Sequence, residues 1–173
     1  QEIGYVQAMN IVSSTLLLLL DGDEEVAFWT LTTLLRQLPS SFYARAPLAL
    51  LGFWTEVEVL TQLAGRLLGL HGVRDALLQV APRWFLEFWV GTLPLEMIVM
   101  IWDAMLRSSR ATTPSVLNLQ VALVLLSHLQ PQLEAALGAP AAGGPTDART
   151  HAAFTLLQAT RVPDASAGWL LHR

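Results

Sequence analysis

Residues 3–39, "IGYVQAMNIVSSTLLLLLDGDEEVAFWTLTTLLRQLP", decide how the chain reads. A polar head with Tyr5, Gln7 and Asn10 gives way to a run that stays apolar almost to Leu20. A helix that is apolar nearly all round packs on several sides, so a buried helix is expected over residues 3–20. Asp21-Gly22-Asp23 ends it. Asp23 then reads as the cap of a second helix, with Glu24 and Glu25 in the first turn, where carboxylates suit the positive end of the macrodipole. Ala27, Phe28, Leu31, Leu34, Leu35 and Leu38 keep the i, i+3, i+4, i+7 spacing of one amphipathic face, and Pro39 stops it.

Working outward, Ser40 to Leu51 reads as a loop with Phe42 and Tyr43 as aromatic anchors. Helical spacing returns from Trp54 to Leu70 at Val57, Leu60, Leu63, Ala64, Leu67 and Leu68, with Gly72 placed for a C-terminal cap. A short helix is expected over residues 73–80. Pro82, Pro94 and Pro114 each precede a periodic apolar segment, in the first-turn position where a missing N–H costs nothing, so each predicts a helix start. The third segment is expected to stop at Pro131. No stretch alternates with period 2 between turns, which makes the predicted fold class all-α, an irregular multi-helix domain. Residues 1–137 form the expected domain, residues 138–147 ("GAPAAGGPTD") a Gly/Ala/Pro-rich linker, and residues 148–173 a helical tail with a helix over 147–160.

Composition narrows the function. With 173 residues the chain is long enough for one core, and with 0 cysteines it has neither disulfides nor a thiolate metal site. His71, His128, His151 and His172 stand singly, without a second ligand at i+3 or i+4, and are assigned nothing. The net charge of −4, with all 10 basic residues arginine and no basic run, lacks the electrostatic footprint of nucleic-acid binding. An apolar share of 53% raises the question of membrane insertion. A spanning helix needs about 20 nearly uninterrupted apolar residues, and every candidate run is broken by Asp21, Pro94 with Glu96 and Asp103, or Asn118 with Gln120. No basic residues precede the first apolar run, so it does not read as a secretory leader. The opening residues do not resemble a natural start, and the chain is expected to be an excerpt of a longer protein.

The ordered series "IGYVQAMNIV", "EEVAFWTLTTLL", "PRWFLEFWVGTLP" and "IWDAML" resembles the TBC domain, the all-helical domain of GTPase-activating proteins for Rab GTPases. "GYVQAMN", with alanine after the glutamine, resembles one branch of that family, and the likeness covers residues 1–137. A lone Y-x-Q triplet is worthless as evidence; the ordered series carries the resemblance. The family's tyrosine-glutamine motif provides a glutamine finger, and the resemblance places that role on Gln7, with Tyr5 beside it in the catalytic motif. Gly4 and Asn10 then become partner-contacting neighbours, although for Asn10, as for Met9, packing is the competing reading.

The implied chemistry suits the residue. GTP hydrolysis needs a water aligned with the γ-phosphate and stabilisation of charge on phosphate oxygens. A carboxamide can accept from that water and donate to a phosphate oxygen without changing charge. The protein then needs no cofactor of its own, because GTP and Mg²⁺ are carried by the partner, a Rab-type small GTPase. The implied setting is vesicle trafficking, in the cytoplasm and peripheral to endomembranes through that partner. In the family an arginine finger comes from an I-x-x-D-x-x-R motif ahead of the glutamine motif. None of the arginines here has a matching context, so the excerpt alone is expected to be a poor activator. The alternative is a non-catalytic helical scaffold that binds a GTPase or another protein. Trp84, Phe85, Phe88, Trp89 and Trp102 read as core rather than a ligand box, Asp103 as a partner for a nearby arginine or backbone group, and Glu56 with Glu58 as a solvated helix face.

Overall fold

The structure is a computed structural model that describes residues 5–39, 41–43, 50–107, 113–138 and 147–159. Among them every regular element is helical, as the patterning predicts: α1 Ala8–Leu19, α2 Glu24–Gln37, α3 Leu51–Leu68, α4 Arg74–Ala81, a π-helical turn Pro82–Leu86, α5 Leu95–Leu106, α6 Pro114–Gly138 and α7 Asp147–Ala159. No helix among the described residues is long and apolar enough to cross a membrane. Helices α3, α4, α6 and α7 pack on one another, while α1 lies on α2 and on the π turn, and α2 is tied to the rest through α5.

The sequence reading of α2 holds at its start, where the Asp23 carboxylate accepts from the backbone N–H of Val26 at 3.0 Å and Glu24 and Glu25 occupy the first turn. Its inward stripe is narrower than expected. Ala27, Leu34 and Leu38 are buried, but Phe28 is exposed, edge-to-face with exposed Trp29 at 5.3 Å. Phe28 sits about 100° round the helix from Ala27, off the stripe.

Helix α3 begins at Leu51, earlier than its spacing suggests, because Gly52 lets the helix lie directly on the preceding anchor. A Cβ at Gly52 would come within 2.8 Å of the Phe42 backbone N. Phe42 and Tyr43 are both buried, as their reading as anchors requires. The helix closes at Gly69, not Gly72: Gly69 adopts φ +67°, and the N–H groups of Gly69 and Leu70 both reach back to the Ala64 carbonyl. The left-handed Gly69 thus ends the helix, with Leu70 buried beyond it and Leu67 left exposed in the last turn.

Two prolines behave differently from expectation. Pro82 does not start an independent α-helix but continues α4 into the π turn, closed by a bond from the Trp89 N–H to the Trp84 carbonyl at 2.9 Å. Pro131 does not stop α6, which runs on to Gly138. Pro131 is on the exposed side while Leu126, Leu129 and Leu133 are buried, so the core holds both halves of the helix across the break. A proline inside a helix costs roughly 3 kcal/mol, and burial of those leucines at ~1.5–3 kcal/mol each is enough to offset it.

The aromatic segment is the centre of the core. Trp84, Phe85, Phe88, Trp89 and Trp102 are all buried. Phe88 and Trp89 take φ values of +47° and +71°, which bulky residues rarely adopt. Three cross-braces hold the turn there. Trp89 Nε1 donates to Asn118 Oδ1 at 3.0 Å, Trp102 Nε1 to the Phe88 carbonyl at 3.1 Å, and the Tyr43 hydroxyl to the Leu86 carbonyl at 3.2 Å. Trp84 and Trp89 stack with ring centres 5.4 Å apart.

Candidate functional site

Helix α1 is anchored by one face and open on the other. Ala8, Val12 and Leu16, spaced by four, are buried, and half-buried Met9 packs against the same core. Gln7, Asn10, Ser14 and Leu18 form the opposite, exposed ridge. The helix start is therefore fixed by packing and not by a polar cap: its first turn carries no acidic residue, and Gln7, at the N-cap position, makes no side-chain capping bond. The Met9 N–H bonds to the Val6 carbonyl at 2.9 Å, which turns the chain into the helix. Helix formation starts at Ala8, so Tyr5 and Val6 lie ahead of it although a helix from residue 3 is expected from sequence.

Gln7 is thus exposed on the first turn of a firmly seated helix, and Tyr5 beside it is 75% exposed. Asn10 is exposed one turn on; its carbonyl accepts from the Ser13 and Ser14 hydroxyls at 3.0 and 2.8 Å. Of the two packing readings, Met9 follows its own and Asn10 does not. Gly4 lies outside the described residues. Among the described residues the first turn of α1 carries no carboxylate against its N–H groups, so those residues leave the positive end of the helix uncompensated.

Elsewhere the structure separates residues that sequence spacing grouped. Asp103 pairs with Arg107 one turn along α5, as its reading as an arginine partner predicts. Glu58 is exposed and pairs with Arg74 of α4 at 3.2 Å. Glu56 departs from the solvated face assigned to it: it is only 6% exposed. Burial pushes its carboxyl up to about 7, with Ser115 opposing that shift. Burial also raises the Tyr43 phenol well above its usual range, with the Glu56 charge acting in the same direction. The missed signal was phase, since position 56 shares the inward side of α3 with Phe53, Val57 and Leu60. Asn118 was legible in the same way, four residues before buried Ala122. Among the described residues no cluster of three or more His, Asp or Glu could hold a metal ion.

Comparison with known proteins gives the class of this helical fold. A family profile described as "Rab-GTPase-TBC domain" matches residues 1–134, and the chain belongs to that family. Among curated proteins it is similar to growth hormone-regulated TBC protein 1 of Rattus norvegicus, 33% identical over 137 residues, covering 75% of this chain and 44% of that one. The Homo sapiens protein of the same name is 32% identical over 147 residues, covering 81% and 40%. Small G protein signaling modulator 3 of Homo sapiens is 32% identical over 110 residues, covering 59% and 14%. The chain thus spans less than half the length of these relatives. No solved structure gives a significant match. Helix α7 lies beyond the profile match, yet it buries Ala153 and Leu157 and packs on α4 and α6.

Proposed function

We propose that this chain supplies the water-positioning part of a GTPase-activating surface for a Rab-family small GTPase. Gln7 is the finger, Tyr5 supports it in the same motif, and Gly4 and Asn10 contact the partner. The observation that carries the reading is that the Gln7 carboxamide is exposed and unused by its own helix, while the helix beneath it is seated in the core. Family membership supplies the partner class. A glutamine brought in this way orients the attacking water with its carbonyl and steadies a phosphate oxygen with its NH₂, leaving GTP and Mg²⁺ in the partner's keeping. The positive start of α1 favours the approach of an anionic nucleotide. The setting that follows is cytoplasmic, peripheral to endomembranes through the GTPase, in vesicle trafficking.

The test is single-turnover GTP hydrolysis by a panel of Rab proteins with the full-length protein and its Gln7→Ala variant. Loss of one aligning group is expected to lower stimulated hydrolysis by about 10²-fold or more, with no change in melting temperature. Stimulation that survives the substitution excludes Gln7 as the finger. The competing reading is a scaffold that binds the GTPase without accelerating hydrolysis. It predicts binding, unaffected by Gln7→Ala, with no stimulation by the unmodified protein.

A further inference from the structure

Polar side chains on α3 and α6 are buried without the partners that burial demands. Both carboxylate oxygens of Glu56, the Ser115 hydroxyl and Asn118 Nδ2 are buried without a hydrogen bond of normal geometry, the Ser115 hydroxyl lying near enough to Glu56 to favour its anion without satisfying it. Asn118 cannot swing away to find one, because its Oδ1 accepts the buried Trp89 indole N–H at 3.0 Å, and that bond fixes which way its NH₂ group points. An unpaired charge in such a seam is costly, whereas a neutral carboxyl acquires an O–H donor and sheds most of its need for solvation.

We propose that Glu56, buried on α3 beside Ser115 of α6, is a proton-controlled latch between the two helices, closed while its carboxyl carries its proton. Around it only Ser115 favours the anion, and burial outweighs that. From the connection before α3 comes Tyr43, whose hydroxyl is already donated to the Leu86 carbonyl at 3.2 Å. From α4 the nearest cation in sequence order is Arg74, held outside by Glu58 at 3.2 Å and Asp75 at 3.8 Å. The π turn brings Arg83, whose charge acts on Glu87. On α6 the titratable groups, His128 and Glu134, lie further along the helix than Asn118. Among the described residues no cation pairs with Glu56. Ionisation therefore buries a negative charge that no cation compensates, and the seam between α3 and α6 loosens.

The sign follows from where the proton is held. Below pH 4.5 the carboxyl is protonated both folded and unfolded, and it contributes no pH dependence. As pH rises from 4.5 to about 7 the unfolded chain loses the proton first, so stability falls across that window and levels off above it. The folding equilibrium constant is expected to drop on the order of 10²-fold between those limits.

Urea denaturation of the chain and its Glu56→Gln variant at a series of pH values tests this. The amide keeps the neutral state at every pH, so the variant is expected to lose the falling limb and to exceed the unmodified protein in midpoint at pH 8. Histidine titrations are common to both and cancel in the difference. Parallel curves overturn the latch. Carbon-13 NMR of the glutamate carboxyls in the unmodified protein gives a measurement that needs no variant to fold. One carboxyl is expected to titrate near 7; if all inflect below about 5.5, as ordinary glutamates do, the latch is excluded. In the same protein, amide exchange in α3 and the first turns of α6, corrected for intrinsic rates, is expected to rise between pH 6 and 8 relative to α7.

Discussion

Gln7 and Trp89 both stand where a helix breaks off, and they are treated in opposite ways. The Trp89 ring is fully buried, its N–H is claimed by Asn118, and its backbone is held at a φ of +71° that only surrounding packing can enforce. Gln7 is exposed, takes an ordinary helical φ of −51°, and leaves its amide free of any capping bond. One break is over-determined because the core depends on it. The other is left open because nothing in the core needs it, and a group with that freedom can meet a visitor without first breaking an internal bond.

The sharpest way to break the contrast is to remove the braced ring. Trp89→Ala deletes a buried aromatic and orphans Asn118, so a loss of about 3–5 kcal/mol in unfolding free energy is expected, read by urea titration. A smaller loss means the strained turn can relax and is less tightly determined than its three braces imply. At the other break, Gln7→Ala is expected to leave that same titration unmoved while abolishing most stimulation of the GTPase. A stability loss comparable to that of Trp89→Ala erases the distinction. Gly52→Ala probes the contact beneath α3, where backbone of Phe42 stands in the way; overpacking of about 1–3 kcal/mol is expected, seen as a lowered melting temperature. The smallest effect belongs to Asp23→Ala, which removes the one cap provided by a side chain at the start of α2, for about 1 kcal/mol.

Much of the fold was readable from local chemistry. The Asp23 cap with Glu24 and Glu25 behind it placed α2 to the residue, and Pro94 and Pro114 placed the starts of α5 and α6 because the missing N–H is harmless there. Pro82 and Pro131 obeyed the same local preference in principle and were overruled. At Pro82 the following residues are gripped by Tyr43, Trp102 and Asn118 from distant parts of the chain; at Pro131 buried leucines on both sides keep one axis. The motif around Gln7 was likewise legible, but its exposure was not, since an apolar run predicts burial without saying which side stays open.

Glu56 shows most plainly where local reading ends. Two residues apart, Glu56 and Glu58 lie on different sides of α3, and helical phase puts Glu56 inward; what phase does not tell is that α6 seals it there while Glu58 reaches Arg74. Helical class, element order, the α2 cap and the position of the glutamine motif were determined by the sequence itself, because they rest on periodicity and on hydrogen bonds between near neighbours. Which groups are sealed, which turn is strained and which amide is left uncommitted were decided by the tertiary structure, because burial and bracing depend on side chains that meet only after the chain has folded back on itself.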